Sequence, residues 1–186
     1  MGKYTVVTSF VILLLCSTIV YAEEDVQSGG PTPAELEAMR QLQKGTSSMR
    51  SKKYEEAIEC FEKAVELKPE FTEAYYNIGI SYIELGKHKD SAKVLKRVIQ
   101  LDPDNANAYY GLGYAYYSLK KYDDALTAFK HSIELKPDNA FAHSKIGLVY
   151  TAKGNRKEAM NHYRTLKTLD SRLADELYLE ISKLKQ

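Results

Sequence analysis

Two hydrophobic patterns divide this chain. Val6 to Val20 is an almost unbroken apolar run, whereas beyond residue 33 apolar residues return every three or four positions. The second pattern is that of amphipathic helices, each with one apolar stripe. Tyr75, Ile78 and Tyr82 make one stripe, and Tyr109, Leu112 and Tyr116 make the next. A longer period is superimposed on it. Pro69, Pro103 and Pro137 lie 34 residues apart and close the similar phrases AVELKPE, VIQLDPD and SIELKPD. Ala74-Tyr75-Tyr76-Asn77-Ile78-Gly79, Ala108-Tyr109-Tyr110-Gly111-Leu112-Gly113 and Ala142-His143-Ser144-Lys145-Ile146-Gly147 keep the same period. A fixed period of this length predicts a solenoid, in which each unit buries its apolar face only against its neighbours.

The punctuation fixes what one unit contains. Thr32-Pro33-Ala34-Glu35 supplies a cap threonine, a proline at the first helical position and a glutamate three residues on, a capping box that predicts a helix start. Each proline forbids continuation of the helix before it, since it lacks an N–H and its ring blocks the preceding turn. Short breaks at Leu85-Gly86-Lys87, Lys120-Lys121 and Lys153-Gly154-Asn155 split each unit into two helices. Gly79, Gly113 and Gly147 recur in the first helix, and Ala57, Ala125 and Ala159 in the second. Small side chains at matched sites allow close approach, so each unit is expected to be an antiparallel helix pair and the fold all-α. Leu173, Leu177, Tyr178, Ile181 and Leu184 place an apolar stripe on a final helix that would cover the last unit.

This spacing, with its Gly/Tyr/Ala/Phe/Pro pattern, resembles the tetratricopeptide-repeat family. The resemblance covers residues 33–170 as four units of about 38–71, 72–105, 106–139 and 140–170, followed by a capping helix at 171–186. The third unit fits best, through Tyr109, Leu112, Gly113, Tyr116, Ala125, Phe129 and Pro137. The first departs at Lys44 and Ser48, as an end unit partly facing water would. The second has Ser91 and Val98 where the family favours alanine, and the fourth has Ser171 in place of proline. The resemblance implies a right-handed α-solenoid whose concave face is lined by the first helices of successive units. Carried onto this chain, that groove would present Glu73, Tyr76, Asn77, Ile80 and Ile83, then Asn107, Tyr110, Tyr114 and Tyr117. Phe141, Ser144, Lys145, Leu148 and Thr151 would follow in the fourth unit.

Tyr110, Tyr114 and Tyr117 share a helical face beside the packing face of Tyr109, Leu112 and Tyr116. A helix apolar over so much of its circumference is either sandwiched or exposes an adhesive stripe. Tyr75, Tyr82, Tyr109, Tyr116 and Tyr150 are read as packing residues, and Tyr76, Tyr110, Tyr114 and Tyr117 as groove residues. Some members of the family hold a C-terminal carboxylate with several Lys, Arg and Asn side chains. Here only Asn77 and Lys145 remain of that chemistry, while Leu42, Thr46, Asn107 and Gly111 stand elsewhere in it. An apolar, aromatic peptide or an amphipathic helix is therefore the expected ligand.

Composition adds the compartment. Lys3 is the sole charge of residues 1–22, and Val20-Tyr21-Ala22 precedes the acidic Glu23-Glu24-Asp25. A basic start, an apolar core and a small residue at the exit form the layout of a secretory signal peptide. The run is also near the ~20 residues of a membrane span, so an anchor over residues 5–22 is an alternative, and Leu13-Leu14-Leu15-Cys16 is similar to a bacterial lipoprotein box. Residues 23–32 read as a flexible linker. Cleavage after Ala22 leaves 25 basic against 25 acidic residues, with Cys60 as the lone cysteine. A single cysteine builds no internal disulfide, and Cys60 is read as a small core side chain.

No catalytic set emerges, and neither a cofactor nor a metal is expected. His88, His131, His143 and His162 lack ligand spacing, and His143 replaces a packing tyrosine. Gly111-Leu112-Gly113 lies within a helical pattern and reads as close packing, not as a phosphate cradle. Near-zero net charge argues against a nucleic-acid partner. The expectation is a non-catalytic protein-interaction scaffold outside the cytosol, in a bacterial periplasm or secreted, that binds a protein or peptide. The alternative is a structural protein assembling as a homo-oligomer through its groove and C-terminal helix, with a membrane met only through the N-terminal segment.

Overall fold

Thr32 opens the first helix by reciprocal capping. Its backbone N–H donates to Glu35 Oε2 at 2.9 Å, and Glu35 N–H donates back to Thr32 Oγ at 3.2 Å. In the computed structural model, which describes residues 30–184, this helix is α1 (Pro33–Arg50). It is followed by α2 (Tyr54–Leu67), α3 (Thr72–Glu84), α4 (His88–Leu101), α5 (Ala106–Ser118), α6 (Tyr122–Leu135), α7 (Ala140–Ala152), α8 (Arg156–Leu169) and α9 (Ser171–Ser182). The expected leader or anchor, Cys16 and nearly all of the linker lie outside the described residues. Among the described residues, no helix is long and apolar enough to cross a membrane. The chain divides into two units that meet between Leu36 and Glu37, and the second holds every helix from α2 on.

Within that second unit each helix packs on the next, and the odd-numbered helices α3, α5 and α7 also touch one another along one side. The turn inside each pair contains a residue with left-handed backbone at the same place in every unit: Lys52, Gly86, Lys120 and Gly154, with φ of 58°, 71°, 58° and 72°. Glycine adopts this conformation at no steric cost, whereas lysine holds it under strain, so residue type marks the left-handed position at Gly86 and Gly154 but not at Lys52 and Lys120. The turns between units are set differently. Lys68, Asp102 and Lys136 are extended, as the residue before a proline tends to be. Asn105 and Asn139 then cap α5 and α7, their side-chain oxygens accepting from Ala108 N at 3.0 Å and Ala142 N at 3.1 Å. After α8 the proline is missing. Asp170 alone ends α8 and caps α9, accepting from Leu173 N at 3.0 Å, and Ser171 is helical rather than part of a turn.

The small residues do what close packing requires of them. A Cβ on Gly45 would lie 2.5 Å from the Phe61 ring, and one on Gly113 would lie 2.5 Å from the Phe129 ring. Both rings are wholly buried. Gly147 departs from the pattern: Leu177 of α9 stands over it, while Tyr163 of α8, at the position of Phe61 and Phe129, instead meets Tyr178 with ring centroids 5.3 Å apart. Leu173, Leu177 and Ile181 seal the end of the solenoid together with Ala159 and Leu166. Tyr178, expected in the same stripe, is 45% exposed, because its neighbour on the helix surface is that half-buried tyrosine rather than the core. Cys60 is buried and free.

Candidate partner-binding groove

The touching faces of α3, α5 and α7 bring part of the expected set together. Tyr76 from α3, Asn107 and Tyr110 from α5 and Phe141 from α7 line one pocket of about 490 Å³. Phe141 is 57% exposed although it is a large apolar side chain, and Tyr76 and Tyr110 are half-buried beside it. The rest of the wall is Lys136, Asp138 and Asn139 from the turn between the third and fourth units, with Ala140 at the start of α7. Those turn residues were invisible to a reading confined to helix faces, because only the packed solenoid folds the turn over the end of the groove.

Farther along the same side a cation lies on aromatic faces. Lys145 Nζ sits 5.2 Å from the centre of the Tyr114 ring and 5.9 Å from that of Tyr117, within range of cation–π attraction. Burial depresses the Lys145 ammonium pKa, and the carboxylate of Glu176 on α9 partly opposes that shift. Burial likewise raises the phenols of Tyr76 and Tyr117 and pushes Tyr110 up to about 12. These hydroxyls stay protonated across the physiological range and act as neutral hydrogen-bonding groups.

Other expected positions are partly claimed by packing. Tyr110 leans on Phe129, with centroids 5.7 Å apart, and Tyr110, Tyr114 and Tyr117 all flank the core cluster of Phe129, Ile146 and Val149. Ile83 packs on the Leu95 cluster, and Leu148 on the α8–α9 cluster. Ile80 approaches Gly111, where a Cβ would lie 3.8 Å from its Cδ1. Asn77 is half-buried, and its backbone carbonyl accepts from Ser81 Oγ at 2.8 Å. Ser144 is buried at 8% exposure and so lies beneath the surface expected of it. Among the tyrosines read as packing, Tyr75, Tyr82, Tyr116 and Tyr150 adjoin core clusters, whereas Tyr109 lies against exposed His131, 5.2 Å between centroids.

The histidines form no ligand set; among the described residues no group of three or more His, Cys, Asp or Glu side chains is placed to hold a metal. His143 is buried and donates Nε2–H to the Pro137 carbonyl at 3.0 Å, leaving its Nδ1 to face His162 Nδ1 at 3.1 Å. Burial, and then the neighbouring His143, bring the His162 pKa down to about 4. The two rings form a packing contact between α7 and α8, centroids 5.3 Å apart, and His162 stacks on Tyr150.

The comparisons agree with this architecture. A family described as "Tetratricopeptide repeat" matches residues 76–140 and 110–172, and a second description, "TPR repeat", matches residues 49–86. No curated protein matches the chain. Among solved structures, MamA is 31% identical, with 78% of this chain and 81% of that one covered at a TM-score of 0.66. A MamA fragment, residue 41 to the end, from Desulfovibrio magneticus RS-1 is 26% identical over 72% of this chain and 75% of its own, with a TM-score of 0.69. YrrB, described as a TPR protein with an unusual peptide-binding site, is 25% identical over 76% of this chain and 74% of its own, again at 0.69. The repeat period, the paired helices, the glycine contacts and these matches converge: the chain belongs to the tetratricopeptide-repeat family, and its fold is that family's all-α, right-handed α-solenoid of antiparallel helix pairs.

Proposed function

We propose that this protein is a non-catalytic scaffold outside the cytosol that holds an apolar, aromatic segment of a partner along the inner faces of α3, α5 and α7. The observation that carries the reading is the pocket around Phe141. A phenylalanine 57% exposed beside two half-buried tyrosines is an apolar anchor without a cover. Tyrosine and phenylalanine offer large contact area at low entropic cost, and buried aromatic anchors carry much of the energy of protein interfaces. Asn107 and Asn139 at the pocket wall add polar groups able to pair with a ligand backbone. The peptide-binding site described for YrrB supports a peptide as the ligand. The location outside the cytosol rests on the signal-peptide layout of residues 1–22.

The test is capture from the exported fraction of the native cell with residues 23–186, beside a Tyr76→Ala/Phe141→Ala variant shown by circular dichroism to remain helical. This pair is preferred to Tyr110, whose contact with Phe129 would confuse lost binding with lost packing. Each anchor is expected to contribute ~1–4 kcal/mol, so a specific protein retained by the wild type is lost by the variant. Equal retention by both removes the groove from consideration.

A further inference from the structure

The opposite side of the solenoid carries a charge pattern that the groove does not use. On α2, Glu55, Glu59, Glu62 and Glu66 are exposed at spacings of four, three and four, so they form one stripe. Thirty-four residues later, at the same places in the next unit, α4 presents Lys89, Lys93 and Lys96 in the same spacing, with Arg97 beside them. No ion pair within the chain is found for any of these four glutamates or four cations among the described residues. Nearby charges only trim the pattern: Lys63 stands among the acids, Asp90 among the cations, and Asp124 of α6 beside Lys96. The basic stripe borders a groove of about 690 Å³ whose floor includes Tyr75 and Tyr116, with Lys96 and Lys121 lying over the Tyr116 ring at 5.7 and 5.9 Å.

We propose that this outer face docks a second copy of the same chain through the two stripes at once. The chain reverses at the short turns either side of α3, so α2 and α4, the second members of adjacent antiparallel pairs, run in the same direction. A two-fold axis lying along that direction, between them, seats α2 of one molecule on α4 of the other and, by the same operation, α4 on α2. The shared repeat register then sets Glu55 over Lys89, Glu59 over Lys93 and Glu62 over Lys96, in both halves of the contact. An unrelated acidic ligand would satisfy α4 and leave the acids of α2 unmatched, whereas a symmetric contact satisfies both. A face two helices wide belongs to the small class of interfaces, below about 1,200 Å², so the dimer is weak and salt-sensitive. It leaves the groove around Phe141 open and does not depend on what that groove binds.

Sedimentation equilibrium of residues 23–186 tests this; among the described residues, the core clusters of the repeat unit draw only on residues of that unit. The expected result is a monomer–dimer equilibrium at low salt, near 20 mM, that weakens about tenfold or more near 500 mM. Two variants, each confirmed helical by circular dichroism, separate charge pairing from other association. Glu55→Lys/Glu59→Lys/Glu62→Lys and Lys89→Glu/Lys93→Glu/Lys96→Glu should each be monomeric alone, because each sets like charges face to face. Mixed in equal amounts they should form a heterodimer, since every reversed stripe then meets its complement. Three results each overturn the proposal: a wild type that stays monomeric up to about 1 mM at low salt, a variant that still dimerises alone, or a mixture that fails to pair.

Discussion

Ser91 shows how one side chain departs from the repeat. It takes the position that Ala57, Ala125 and Ala159 fill in the other units, all wholly buried, and it too is wholly buried. Its hydroxyl has no hydrogen-bond partner among the described residues. A buried hydroxyl without a partner keeps its desolvation penalty, so Ser91→Ala should stabilise the fold by about 1 kcal/mol, read as a higher denaturant midpoint at unchanged slope. His162 makes the opposite point, because its contribution depends on pH. Its folded pKa is brought from 6.5 down to about 4, so between those values the unfolded chain takes up a proton that the folded chain does not. Stability is therefore full above about pH 6.5 and declines as the pH falls toward 4. Thermal melts across that window should show His162→Gln with a shallower acid decline than the wild type, whereas equal slopes would assign the decline to other groups.

Helix α9 closes the solenoid by substituting for what the fourth unit lacks. Tyr163 does not cover Gly147 as Phe129 covers Gly113, and Leu177 of α9 takes that place. Leu173, Leu177 and Ile181 are buried to 6%, 1% and 0% exposure. Full burial of such side chains contributes roughly 1.5–3 kcal/mol each, so ending the chain at Asp170 should cost several kcal/mol. The loss should fall on α7 and α8, where hydrogen exchange would report faster amide exchange, while α3 and α4 stay protected. The absence of a proline at Ser171 was readable in sequence. That Leu177 of α9, rather than Tyr163 of α8, would cover Gly147 was decided by how α9 docks on α7 and α8.

Across the molecule, burial is uneven. In α1 only Ala38 and Gly45 are buried, against five residues in each of α2, α5 and α6. In a linear array each helix pair is held by its neighbours, so opening should begin at α1 and reach α5 and α6 last. Native-state hydrogen exchange that protected α1 as strongly as α6 would contradict this order. The long sides of the array also differ in chemistry: aromatic groups gather along α3, α5 and α7, while separated charge stripes occupy α2 and α4.

The sequence by itself determined the repeat, the pairing of helices and the family. Those features rest on local rules, namely a proline that stops a helix and small residues at a fixed period, and each is legible without knowing what lies opposite. Tertiary structure decided which side chains remain available. Tyr76, Asn107, Tyr110 and Phe141 meet in one pocket, yet Ile83 and Leu148 are drawn into packing and Ser144 is covered. Lys52 and Lys120 adopt the left-handed turn that glycine marks at Gly86 and Gly154, and His143 finds His162 nineteen residues away. The physical reason is the same in each case: the period gives the phase of a residue on its own helix, but exposure depends on the rotation and spacing of the helices beside it.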